Sequence, residues 1–117
     1  MDFAVEFYET ASGRCPVREF LLELKASDPG DCAAVAAGLE KLRHRQCHRE
    51  PLTRALGGAL FELRHVGRLN TRVLWFFVKG RRIIAVHGIR SKGQAIPARD
   101  LDTARERMRD WKERNEL

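Results

Sequence analysis

Apolar and polar residues alternate along the chain with two different periods, and the switches between them divide it into elements. Phe3, Val5 and Phe7 alternate with Ala4, Glu6 and Tyr8, the period of two expected of a strand with one buried face. After the turn-like TASGR, Pro16 stands where a helix opens without losing a needed donor, and Val17, Phe20, Leu21 and Leu24 follow at helical spacing. Asp28-Pro29 starts a second helix with Asp28 as N-cap; Cys32, Val35, Leu39 and Leu42 form its apolar stripe, which runs to about Arg45. Gly38 inside that stretch costs about 1 kcal/mol relative to alanine, which points to close packing there.

From Leu52 the period changes. Gly57-Gly58 predicts a turn, and ALFELRHV, RVLWFFV and RIIAVHGI are β-rich runs joined by the short GRLNT and KGR, so a meander of three strands is expected. Val73 to Val78 is apolar at every position, as a central strand covered on both faces requires. RSKGQAIPAR predicts a basic loop, and a helix follows from about Asp100 with Leu101, Ala104, Met108 and Trp111 on one face. The order is β-α-α-β-β-β-α. It predicts an α+β fold: an antiparallel sheet of about four strands, two N-terminal helices packed on it, and a C-terminal helix.

With 117 residues, 44% of them hydrophobic, and no linker or repeat, one domain over residues 1–117 is expected. No apolar run approaches the roughly 18 residues needed to span a bilayer. The first ten residues carry acids where an export signal carries bases, so a cytoplasmic protein is expected. Three cysteines, Cys15, Cys32 and Cys47, lie far apart with no C-x-x-C pair, which argues against a disulfide framework. Cys47, His48 and His44 are close in sequence, but no second cluster completes a metal site, so neither metal nor cofactor is expected.

Charge is the more informative property. The net +6 is uneven: between Ala59 and Lys92, eight bases face one acid, Glu62, giving +7, and the remainder sums to −1. A localised anion-binding surface follows, with nucleic acid as the first partner to consider. No phosphate-binding glycine loop, nucleophile elbow or H-E-x-x-H pattern occurs, which removes the commonest nucleotide, hydrolase and metalloprotease readings. There remains a basic and imidazole set on the meander: Arg64 and His65 ending one strand, Arg72 opening the next, His87 ending the third, then Arg90 and Lys92 in the loop. Adjacent antiparallel strands bring Arg64 and Arg72 together near one turn. The plain structural alternative pairs these arginines with Glu62 across the strands and has His87 donate to a backbone carbonyl. Phe61, Trp75, Phe76 and Phe77 are able to stack on bases, but at this apolar density they read as core, and Trp111 as the residue that docks its helix.

FYETASGRCPVREFLLEL, together with LFELRHVGRLNTRVLWFFVKGRRIIAVHGIRSKGQAIPARDLDTARERMRDW, resembles the HigB-like branch of the RelE/ParE toxin superfamily. The resemblance covers nearly the whole chain. It implies a compact α+β fold, ribosome-dependent mRNA cleavage, and neutralisation by a cognate antitoxin, a helix-turn-helix protein encoded nearby. By position, Arg64, Arg72 and Lys92 fall where the family sets basic residues against RNA, and His87 matches its His-Gly position. These four are the expected catalytic residues, with Arg68, Lys79 and Arg90 as RNA-binding residues. The chain departs from the pattern at Thr71, in SKG, and in having no tyrosine in its last third.

The chemistry suits such a set. Attack of a ribose 2′-OH on the adjacent phosphate builds charge on the phosphoryl oxygens, and a fixed guanidinium offers them two parallel donors. One proton leaves the 2′-OH and another reaches the departing 5′ oxygen; His87 or Lys92 would carry them. Two other readings share the residues: a non-cleaving relative, either a ParE-like gyrase inhibitor or a decayed toxin that binds only its antitoxin, and a small basic RNA-binding protein.

Overall fold

The computed structural model describes residues 2–115. Strand β1 (Ala4–Phe7) leads into helices α1 (Pro16–Ser27) and α2 (Pro29–Lys41), followed by β2 (Thr53–Gly57), β3 (Leu60–Val66), β4 (Asn70–Val78), β5 (Arg82–Ser91) and helix α3 (Ala98–Asn115). Asp28 closes α1, its N–H bonded to the Leu24 carbonyl, and opens α2, its carboxylate accepting the Asp31 N–H at 3.1 Å. One residue thus sets the corner between the two helices, its backbone closing one and its side chain opening the other.

Helix α2 stops at Lys41, short of the expected Arg45. The Arg43 and His44 N–H groups bond to carbonyls three residues back, which tightens the turn, and a short 3-10 turn follows over Arg45–Cys47. Helix α3 begins two residues before Asp100, directly after Pro97, whose carbonyl accepts from Asp100 and Leu101.

The sheet has five strands in the order β1-β5-β4-β3-β2, one more than expected. The added strand, β2, pairs antiparallel with β3 at one edge, and β3, β4 and β5 form the anticipated meander. The sheet is not wholly antiparallel either, because β1 lies parallel to β5 at the other edge, with Val5 opposite Ile83. Helices α1 and α2 carry the chain from β1 at one edge to β2 at the other, and the following strands bring it back to β5 beside β1.

β4 is the middle strand, buried on both faces from Asn70 to Phe76. On one face Leu63, Val73, Trp75, Ile83 and Ala85 meet Val17, Leu24, Val35 and Leu39 of α1 and α2. On the other, Leu74, Phe76, Ile84 and Val86 meet Ala104 and Trp111 of α3, with Trp111 edge-on to Phe76 at 5.7 Å. Two glycines permit this packing. A β-carbon at Gly38 would lie 3.1 Å from Leu63 Cδ1, and one at Gly88 would lie 2.3 Å from Phe20 Cδ2. A bulge in β5 sets Leu74 opposite His87 and Trp75 opposite Ala85, leaving Val86 without a partner. The extra residue re-aims the strand so that the His87 ring reaches α3.

Candidate nucleic-acid interface

Alternation along β3 and β4 puts Glu62, Arg64 and Arg72 on the α3 side of the sheet, with Arg64 directly opposite Arg72. The two arginines differ sharply in environment. Arg72 and Glu62 have 0% side-chain exposure, and Arg72 Nε stands 3.2 Å from Glu62 Oε2 without the alignment of a hydrogen bond. Arg54 of β2 donates to the other carboxylate oxygen of Glu62 at 2.7 Å. Arg72 Nη2 turns toward the loop after β5, donating to the carbonyls of Gly93 and Gln94, and Asn70 Nδ2 donates to Gly93 at 2.9 Å. The loop carrying the exposed Lys92 is therefore fastened by two side chains of β4.

Arg64 is half-buried and borders a cleft of about 270 Å³ with Arg54, Glu62 and Pro51. It also borders a neighbouring cleft with Lys41, Arg49 and His65. Arg64 and Arg54 thus give the sheet edge two guanidinia, and Lys92 extends from the same end of the sheet, since Ser91 pairs with Asn70. Arg72 anchors that arrangement from inside.

His87 does not end its strand, because β5 continues to Ser91. Its Nε2 lies 2.7 Å from Asp100 Oδ1, and its Nδ1 lies 2.9 Å from Arg107 Nη1. Arginine can only donate, so Nδ1 accepts and the ring proton sits on Nε2, directed at Asp100. Both nitrogens are occupied, and neither partner is the expected backbone carbonyl. Burial lowers the Arg107 guanidinium from its usual range, Arg14 acts in the same direction, and Tyr8 and Glu19 oppose it.

The other basic residues disperse. Arg90 belongs to β5 rather than the loop, and its Nη2 bridges Asp28 at 2.6 Å and Asp31 at 2.9 Å on the opposite face of the sheet. Asp31 also meets His65 Nε2 at 3.2 Å. Arg68 is exposed in the β3–β4 turn, close enough to Asp28 to help lower its carboxyl, after the Asp31 N–H and Arg90. Lys79 lies in the β4–β5 turn, the whole length of β4 away from Arg68, about 25–30 Å at the usual strand rise. Arg64 lies directly opposite Arg72, and Arg72 holds the loop that carries Lys92; Lys79 and Arg90 do not join them.

Four contributors escaped the sequence reading. Arg54 sits on the unanticipated strand β2, outside the Ala59–Lys92 charge block; Asn70 of β4 helps hold the basic loop; Asp100 and Arg107 are supplied by α3. For Asp100 and Arg107, spacings of 13 and 20 residues from His87 carry no local signal. Among the described residues, no helix is long and apolar enough to cross a membrane.

None of the curated proteins matches the chain. The family model described as Phage derived protein Gp49-like (DUF891) matches residues 22–109, about three quarters of the chain, including every residue of the Arg64–Arg72–Lys92 arrangement. The α+β fold agrees with that match, and the chain belongs to the Gp49-like phage-derived family, a RelE-like toxin-type family.

Proposed function

We propose that this chain is the toxin of a type II toxin–antitoxin pair, a HigB-like endoribonuclease that cleaves mRNA on the ribosome and is held in check by a cognate antitoxin. It acts in the cytoplasm as a single RelE-like domain over residues 1–117, and no cofactor is invoked. The observation that carries the reading is Arg64, accessible at a cleft and directly opposite the buried Arg72 that, with Asn70, pins the Lys92 loop.

In the reaction the ribose 2′-OH gives up its proton to water, its oxygen attacks the adjacent phosphorus, the bond to the 5′ oxygen breaks, and a 2′,3′-cyclic phosphate remains. Arg64 offers two N–H donors to the phosphoryl oxygens as charge builds on them. Lys92, as an ammonium, gives the departing 5′ oxygen the proton it needs. Arg72 is a positioning residue, acting through the loop it holds. His87 can take part in proton transfer only after giving up Arg107 or Asp100, and its present bonds make it an anchor between β5 and α3. Arg68 contributes a phosphate contact from the turn, whereas Lys79 and Arg90 fall outside this group.

The internal commitments of Arg72 and His87 are what favour the second reading, a non-cleaving relative that binds antitoxin or gyrase. Inducible expression in bacteria with mapping of mRNA 5′ ends separates the two. New ends within translated frames support the endoribonuclease. Growth arrest with intact mRNA and damaged DNA, or no arrest, overturns it.

A further inference from the structure

Phe77 is the exception on the central strand. Its neighbours from Asn70 to Phe76 are buried, yet Phe77 is 39% exposed and stands at a further cleft, of about 380 Å³, on the face covered by α1 and α2. Phe61 and Trp75 stack at 4.8 Å with 18° between their planes, and Phe77 stands edge-on to both, 5.2 Å from Phe61 and 4.8 Å from Trp75. His48 packs against Phe77 at 5.4 Å, its Nε2 held by the Leu42 carbonyl. The result is a rigid, flat-walled aromatic corner. Arg49 and Arg54 stand on its rim, along with Glu50. Trp75 lines the same cleft and is wholly buried, and its indole N–H has no hydrogen-bond partner.

We propose that this cleft is a stacking subsite for one unpaired nucleobase of a single-stranded RNA, with Phe77 as the stacking surface and Arg49 and Arg54 holding the flanking phosphates. The assignment deepens the RNA-cleaving reading and rests on it for the identity of the strand. Two features together fit a nucleotide better than an apolar side chain from a protein partner. Aromatic planes meet the π-face of any base. Two guanidinia on the rim answer the charge that accompanies each nucleotide. Thr53 and Arg54 of the edge strand β2 line both this cleft and the Arg64 cleft, which opens on the α3 side of the sheet.

The test measures binding of a fluorescently labelled single-stranded oligoribonucleotide to the full chain, with a matched oligonucleotide carrying one abasic position. Phe77→Ala should weaken binding about 5- to 150-fold, the fold-change equivalent of losing one stacked base. Its salt dependence should stay unchanged, because no phosphate contact is lost. Phe77→Trp should retain affinity. The abasic oligonucleotide should lose a similar factor against the native chain and nothing further against Phe77→Ala. Arg49→Gln should instead reduce the salt slope by about one.

Equal affinity of native chain and Phe77→Ala, or no measurable RNA binding, overturns the subsite. Weakened antitoxin binding with unchanged RNA binding also overturns it and assigns the cleft to a protein partner. If Phe77→Ala binds RNA normally while the native chain cleaves mRNA on ribosomes, the subsite fails and the endoribonuclease reading stands. Phe77-dependent RNA binding without cleavage gives the reverse.

Discussion

The guanidinium of Arg72 and the carboxylate of Glu62 face one another at 3.2 Å, and neither is exposed to water. Each would be costly to bury alone, and each has a second partner: Arg54 for Glu62, and the loop carbonyls of Gly93 and Gln94 for Arg72. The pair therefore joins three parts of the molecule, the β2 edge, the centre of the sheet and the basic loop. Arg72→Met should lower stability by about 3–5 kcal/mol, because it leaves a buried carboxylate short of a partner. The double variant Arg72→Met/Glu62→Leu should lose less than the single one. Urea unfolding of the variants, with amide exchange at residues 92–95, checks both the energy and the loosened loop.

Close approach at Gly88 yields a contrast between two glycines. Gly88→Ala puts a methyl 2.3 Å from the Phe20 ring, which is itself held between α1 and β5, so a loss of about 1–3 kcal/mol is expected. Gly38→Ala meets the branched end of one leucine, with the two Leu63 methyls at 3.1 and 3.3 Å. There the gain in helix propensity, about 1 kcal/mol, offsets the squeeze, and stability should hardly change. Thermal unfolding of the two variants should rank them in that order, and Phe20→Leu should partly restore Gly88→Ala.

What the sequence made legible follows from distance along the chain. Both N-terminal helices, the meander and α3 were readable because each rests on its own periodicity, and the Gly38 contact because glycine inside a helix is a local signal. β2 was not, since an edge strand with Thr53 buried and Arg54 and Ala55 exposed shows no clear alternation. The parallel pairing of Val5 with Ile83 joins residues from opposite ends of the chain, and no local pattern encodes it. The site was legible to the same extent. Arg64 beside Arg72 follows from a short turn, but the burial of Arg72 depends on a loop twenty residues later, and the two bonds that fix His87 depend on α3.

Acid should destabilise the fold. The Asp28 carboxyl is held low by the Asp31 N–H and then by Arg90, that of Glu6 by Arg82, and that of Asp110 by Arg114 and Tyr8. Folded values below the unfolded ones mean that this stability is present above the ordinary carboxylate range, about pH 4, and disappears as pH falls through the folded values. Tyr8 shifts the opposite way, raised by burial and then by its bond to Asp110, so its contribution is present below its ordinary value near 10 and lost above it. Urea unfolding should be flat between about pH 5 and 8 and fall below about pH 4. Asp28→Asn should be less stable at neutral pH and show a shallower acid slope; an unchanged slope would mean that Asp28 contributes nothing to it.

The sharpest test of the site separates Arg64 from Arg72. If Arg64 meets the phosphate in the transition state, Arg64→Lys retains the charge and loses the paired donors, so cleavage should slow by a factor of about 30 to 1,000, equivalent to about 2–4 kcal/mol of barrier. Its side chain borders a cleft and carries no buried ion pair, so stability should stay near that of the native chain. Arg72→Lys should lose stability and cleavage together, because lysine cannot span Glu62 and the loop carbonyls at once. Arg68→Lys, in the exposed turn, keeps a phosphate contact and should remain nearly active. Single-turnover cleavage on programmed ribosomes, read beside ribosome affinity and urea unfolding, distinguishes the three. Should Arg64→Lys cleave like the native chain, or bind ribosomes less well in proportion to its loss of rate, Arg64 is a positioning contact and the transition-state role belongs elsewhere.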